Sequence, residues 1–150
     1  MDVVRSVIII VVILLVGGVS VSVAQDHQAD LATSANPDHQ GKVTRAQFTS
    51  EVVAREPVDS VLTLKNDVDK IYFFSELVNL KGRRITHRWE YQGKVMAEIE
   101  FNVTSNRWRA YSSKTLTPQW LGEWSVVVVD DAGWPLKASL FEYGEKTILE

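Results

Sequence analysis

The stretch that decides the fold is Ile85-Thr86-His87-Arg88-Trp89-Glu90-Tyr91-Gln92-Gly93-Lys94-Val95-Met96-Ala97-Glu98-Ile99-Glu100-Phe101. Apolar and charged side chains alternate on both sides of a glycine, the period-two pattern of two half-buried strands joined by a tight turn. Tyr91-Gln92-Gly93 fits a three-residue hairpin loop whose last position lies in the left-handed region, which glycine enters without a steric penalty. Glu90 then opposes Lys94, Trp89 opposes Val95 and His87 opposes Ala97. Ile85, His87, Trp89, Val95, Ala97, Ile99 and Phe101 thereby share one face. A two-residue loop shifts the pairing by one and sets those apolar groups against Glu98 and Glu100, so the period rejects it.

The same pattern extends in both directions. Runs rich in Val, Ile, Thr, Phe, Tyr and Trp occur at 46–55, 70–78, 85–90, 94–103, 107–113, 123–130 and 134–143, separated by Gly, Pro, Asn and Asp. Asn66 could cap a helix carrying Ile71, Phe74, Leu77 and Val78, but four consecutive apolar residues, Ile71-Tyr72-Phe73-Phe74, favour a buried strand. Ser105-Asn106 is expected to turn a second hairpin in which Val103 meets Trp108, while Glu100 and Asn102 face Arg107, Arg109 and Tyr111. Asp131-Ala132-Gly133 offers a third hairpin loop, with the Asp side chains bonding local amides. Val127 and Val129 make the strand before it apolar on both faces, so that strand is central or covered. The expected fold is all-β: a small antiparallel, immunoglobulin-like sandwich of about seven strands.

Two other segments precede this domain. Residues 1–24 run from Asp2 and Arg5 through an apolar stretch to Ser22-Val23-Ala24, the order of a secretory signal peptide. Its apolar length also approaches the roughly 20 residues that span a bilayer, so an uncleaved membrane anchor is the rival reading. Residues 25–43 hold almost no large apolar side chain and read as a disordered linker. The domain itself is then 44–150, working in the periplasm or outside the cell, secreted or held at the inner membrane.

Composition narrows the functions. The formal charge of −3 supplies no clustered basic excess for a nucleic-acid backbone. The chain has no cysteine, which removes disulfides, thiolate metal sites, cysteine nucleophiles and lipoprotein anchoring together. His27 and His39 stand twelve residues apart in the linker without a third ligand, so no metal or other cofactor is expected.

Several short motifs have a familiar order. Arg55-Glu56-Pro57, Ile71-Tyr72-Phe73-Phe74-Ser75-Glu76-Leu77, His87-Arg88-Trp89-Glu90-Tyr91-Gln92-Gly93-Lys94, Arg107-Trp108-Arg109, Ser112-Ser113-Lys114, Trp120-Leu121-Gly122-Glu123-Trp124 and Asp131-Ala132-Gly133 resemble a bacterial domain-of-unknown-function family, DUF2914. The likeness runs from about Ala46 to Tyr143. It implies a small β domain in bacterial proteins that often carry membrane segments, and supplies no catalytic residues to transfer.

Candidate chemistry is sparse. His87 alternates with core residues beside Trp89 and reads as a packed or rim histidine bonded to backbone. Ser112, Ser113 and Lys114 lack a nucleophile turn and read as a strand end. Glu98 and Glu100 share a strand face, with Arg109 and Tyr111 expected opposite them as a surface charge lattice. Of the five tryptophans, Trp89, Trp108 and Trp124 fall at core positions, whereas Trp120 and Trp134 fall in loops. The expected role is therefore a non-enzymatic cell-envelope interaction domain that binds another protein. The alternative is a glycan-binding module for peptidoglycan or exopolysaccharide, with Trp120, Trp134 and His87 on its contact surface. A hydrolase centred on His87 is the third reading, and no supporting constellation accompanies it.

Overall fold

In the computed structural model, residues 41–146 are described. The export or anchor segment and nearly all of the linker lie outside the described residues. Among the described residues there are ten strands and no helix. They are Lys42–Thr49 (β1), Val52–Val53 (β2), Glu56–Pro57 (β3), Thr63–Lys65 (β4), Lys70–Val78 (β5), Arg84–Tyr91 (β6), Lys94–Asn102 (β7), Arg107–Thr115 (β8), Gly122–Asp130 (β9) and Pro135–Gly144 (β10). The seven long ones follow the seven runs read from sequence, with the first shifted toward the N-terminus. Residues 52–57, counted in that first run, instead form the small β2–β3 hairpin.

The long strands form two sheets. One has the order β1-β5-β8 and the other β4-β10-β9-β6-β7. All pairs in them are antiparallel except the short β4, which runs parallel to β10. Numbering the long strands one to seven, the first, second and fifth make one sheet and the seventh, sixth, third and fourth the other. Such crossing between sheets is the Greek-key connectivity of an immunoglobulin-like sandwich. β9 is central, bonded to both β10 and β6, which is why its valines are apolar on two faces.

The inward positions fill the space between the sheets. Ile71, Phe73 and Leu77 of β5 face Ile85 and Trp89 of β6 and Trp124, Val126 and Val128 of β9, all fully buried. Phe48 joins them, with ring centroids 4.6 Å from Phe141 and 5.1 Å from Phe73, in the tilted and edge-on geometries that aromatic quadrupoles favour. Each such side chain contributes about 1.5–3 kcal/mol by leaving water.

Two registers differ from the expected ones. At the β6–β7 turn Tyr91 opposes Lys94 across a two-residue loop, and Gln92 and Gly93 both have positive φ (48° and 77°). A bulge between Trp89 and Glu90 in the ladder then restores parity, so Trp89 opposes Ala97 and His87 opposes Ile99. The shared apolar face is as expected from Ala97 onward, but Val95 precedes the correction and is exposed. The second difference is larger. β7 and β8 do not form a hairpin: β7 bonds only to β6, and the chain crosses at 103–106 to the other sheet, where β8 bonds to β5. Arg107 and Arg109 therefore oppose Val78 and Glu76, while Glu98 and Glu100 oppose Arg88 and Thr86.

The two sides of the sandwich are unlike. On one side β1 lies beside β10, with the Ser139 hydroxyl 3.5 Å from the Ala46 carbonyl. Segment 58–62 closes this side further: the Val61 amide donates to the Phe48 carbonyl at 2.9 Å and the Glu142 amide to Leu62 at 3.0 Å. On the other side the edges of β7 and β8 carry no further strand among the described residues.

Candidate functional site

Two polar constellations stand out, one buried between the sheets and one at the open side. The buried one arises because polar residues take inward positions on three strands: Ser75 between Phe73 and Leu77, His87 between Ile85 and Trp89, and Ser112 after Ala110. His87 is wholly buried, with Nε2 2.8 Å from the Ser75 hydroxyl and Nδ1 2.9 Å from the Ser112 hydroxyl. The Trp89 indole donates to the same Ser112 oxygen at 3.0 Å. With the ring proton on Nε2, one directed chain runs from Trp89 through Ser112 and His87 to Ser75. Burial pushes the His87 pKa down to about 3, so the ring is neutral at ordinary pH.

The constellation corrects two expectations. His87 bonds side chains of the facing sheet, not backbone, and Ser112 sits within β8, which continues to Thr115. Chemically the group resembles a Ser-His pair without an orienting carboxylate, and so weak a base takes a proton poorly. Neither His87 nor its two serine partners line the clefts at Arg55 and Trp108 or the one between Ala46 and Leu140.

Trp120 and Trp134 are not brought together. Trp120 packs with tilted rings against Tyr91 and Trp124, and its carbonyl accepts the Trp124 indole at 3.0 Å. Trp134 is 45% exposed beyond the other end of β9, at the 131–133 loop. There Asp130 accepts the amides of Ala132 and Trp134 at 3.0 and 2.8 Å, the local capping expected of that turn. The nine-residue strand β9 runs between them.

The second constellation, at the open side, was not recognised in the sequence. Glu76, on the outer face of β5, is nearly buried under arginines: Arg107 donates to it at 3.0 Å and Arg109 at 3.3 Å, with the Thr44 hydroxyl at 3.2 Å. The Arg107 hydrogen bond, helped by Arg109 and Thr44, holds its carboxyl below the usual range against the opposing effect of burial. Glu56 on β3 bridges Arg45 at 2.8 Å and Arg109 at 2.7 Å. Thus the β2–β3 hairpin is pinned over this face by its acid.

The tip of that hairpin is strained. Ala54 and Arg55 both adopt positive φ, 50° and 64°, the mirror-image turn that strand twist demands but that non-glycine residues enter at about 1–2 kcal/mol each. It sets the Arg55 guanidinium 5.5 Å from the Trp108 ring and 3.3 Å from the Arg109 carbonyl. Arg55 has no carboxylate partner among the described residues. The Trp108 indole N–H is buried without an acceptor, which costs about 1–3 kcal/mol. Around these groups lie two shallow clefts. One, of about 350 Å³, is lined by Arg55, Ser105, Arg107, Trp108 and Arg109. The other, of about 520 Å³, adds Phe101, Ala110 and Tyr111. Residues from both faces of β8 line them, so the clefts wrap its free edge.

That edge can be read residue by residue. Leu116 donates to the Asp69 carbonyl and Asn106 accepts from Asn79, so the even-numbered residues of β8 bond inward to β5. The odd-numbered Arg107, Arg109, Tyr111, Ser113 and Thr115 turn their N–H and C=O outward, consistent with Arg55 reaching the Arg109 carbonyl. Among the described residues no three His, Asp, Glu or Cys side chains converge as a metal site.

Fold and site define an all-β sandwich domain with a buried polar junction and an arginine-rich open edge. Residues 82–143, from just before β6 almost to the end of β10, match the family described as protein of unknown function, DUF2914. The resemblance seen in the motifs holds over those residues, which include Arg107, Trp108 and Arg109 but not Arg55. No curated protein matches the chain.

Proposed function

We propose that this is a non-enzymatic, exported interaction domain that binds an extended segment of another envelope protein along the free edge of β8. The observation that carries the reading is that edge itself. β8 keeps an unbroken nine-residue register with β5 and presents the outward amides and carbonyls of its odd-numbered residues to no strand among the described residues, with only the Arg107 and Arg109 carbonyls already accepting, from the Ser105 hydroxyl and Arg55. Such a row is a template for strand addition, in which main-chain hydrogen bonds supply affinity and flanking clefts supply selectivity. The β7 edge is poorer in this respect, being bulged and lined by Lys94, Glu98 and Glu100, features that discourage pairing. The β1 edge is met by segment 58–62. The glycan alternative draws no support from Trp120 and Trp134, which stand at opposite ends of β9.

The test uses a photo-crosslinking residue at Ser113 of the full chain in cells, with the same residue at Glu98 on the β7 edge for comparison. Tyr111→Pro removes an outward N–H and no bond of the β5–β8 ladder, so the fold is expected to persist. Strand addition predicts a defined protein adduct from position 113, absent from position 98 and lost in Tyr111→Pro at unchanged thermal stability. Equal adducts with and without the proline would sink the reading.

A further inference from the structure

We infer that the cleft under the β2–β3 hairpin is a carboxylate pocket, and that the segment taken up on β8 carries an acidic side chain which enters it between Arg55, Arg109 and the Trp108 indole. The inference rests on the strand-addition reading and names the chemistry of the partner.

Charge is the first ground. Arg45, Arg55, Arg107 and Arg109 stand against Glu56 and Glu76 alone, an excess of two positive charges in a chain whose formal charge is −3. Arg107 and Arg109 spend hydrogen bonds on those acids, whereas Arg55 has only a carbonyl and a ring face. A guanidinium so placed keeps most of its forked donors for an incoming carboxylate. The second ground is the Trp108 N–H, the one buried side-chain polar atom without a partner among the described residues. A carboxylate seated beside Arg55 at the edge of the indole would supply the acceptor that this N–H lacks.

The third ground is position. The pocket adjoins Arg109, whose outward carbonyl accepts from Arg55, and the larger cleft continues past Ala110 to Tyr111, where the free stretch of β8 begins. A strand paired there would set alternate side chains on the Phe101–Tyr111 wall and against Arg55. The turn strain at Ala54-Arg55 fits the same picture, since it holds the cation over the cleft rather than out in solvent.

The experiment uses the full-length chain labelled with ¹⁵N at tryptophan and tyrosine. The Trp108 indole signal, assigned by its loss in Trp108→Phe, reports the cleft, and the Tyr111 amide reports the edge. The probes are an end-blocked eight-residue peptide alternating Val and Glu, its Val-Gln counterpart, and inorganic phosphate. The Glu peptide is expected to move both signals saturably and to bind at least tenfold tighter than the Gln peptide. Arg55→Gln should weaken it at least fivefold. Movement of the Tyr111 amide equally with both peptides keeps strand addition and overturns the carboxylate pocket. Movement of the Trp108 signal by the Glu peptide, with Tyr111 still, keeps the pocket and removes strand addition. A Trp108 response to phosphate and not to the Glu peptide overturns the inference in favour of a free-anion site.

Discussion

The imidazole of His87 on β6 and the hydroxyl of Ser75 on β5 meet at 2.8 Å across the interface of the two sheets, in a core where Ser112 is the other polar partner of the ring. The folded pKa of His87, about 3, lies below the value near 6.5 of an unfolded histidine. The unfolded state thus binds the proton first. The stabilisation is fully present above pH 6.5 and is lost as pH falls from there toward 3, at about 1.4 kcal/mol per pH unit. Between pH 7.5 and 4.5 the loss is about 2–3 kcal/mol, or roughly 10–20 °C in melting temperature. His87→Gln is expected to be less stable at pH 7.5 yet nearly free of this slope. A wild-type melting temperature flat over that range would contradict the buried neutral ring.

Ala54 carries the opposite kind of strain, in the backbone. At φ 50° its Cβ is disfavoured, and glycine there escapes the clash at some cost in unfolded-state entropy. Ala54→Gly is expected to stabilise the protein by about 0.5–1 kcal/mol, and Ala54→Val, β-branched, to destabilise it by more than that gain. Denaturant midpoints of the two variants decide the matter, and a destabilising Ala54→Gly would mean that the hairpin tip is relaxed.

Much of the sandwich is legible in period-two alternation because burial enforces it strand by strand. The face shared by Ile85, His87, Trp89, Ala97, Ile99 and Phe101 was recoverable even though the loop before it was misjudged, since the bulge after Tyr91-Gln92-Gly93-Lys94 restores the parity that burial requires. Pairing partners are another matter. Nothing local distinguishes a turn at Ser105-Asn106 from a crossing between sheets, so the sequence reading places Arg109 on the side of Glu100 and Asn102, whereas its partner is Glu76, more than thirty residues away. The cleft followed from that error. Arg55-Glu56-Pro57 and Arg107-Trp108-Arg109 both read as motifs, but only the Greek-key connection brings them together. Alternation of arginine with an aromatic on what proves to be an edge strand was the available signal.

The tryptophans separate packing from exposure. Trp124 is fully buried, with its indole on the Trp120 carbonyl and its ring stacked on Tyr91 at 4.8 Å. Trp124→Ala should cost about 3–5 kcal/mol, as large cavities in aromatic cores do. Trp134, exposed at a turn and held there through its backbone amide, should change stability by less than about 1 kcal/mol when replaced by Ala. Chemical denaturation of the two variants, with slopes compared to confirm a common unfolding transition, checks both values.

Glu76 tests whether the arginine-rich face is held together by its acid. It accepts hydrogen bonds from Arg107, Arg109 and Thr44 while almost shielded from water. Glu76→Gln keeps the shape but replaces an acceptor carboxylate by an amide with half the acceptors, at a cost of about 1–3 kcal/mol. Its depressed pKa means that the carboxylate stabilises the fold above the ordinary value of 4.5, and that this contribution fades as pH falls below it. That window overlaps only the lower part of the one assigned to His87, so the range from pH 6.5 to 4.5 reports the histidine and the two can be told apart in a single series. His87→Gln should flatten the melting temperature from pH 6.5 down to 4.5, and Glu76→Gln should leave that slope intact while reducing the further drop below pH 4.5. Loss of the upper slope in Glu76→Gln would show that the surface cluster, and not the buried histidine, sets the acid response.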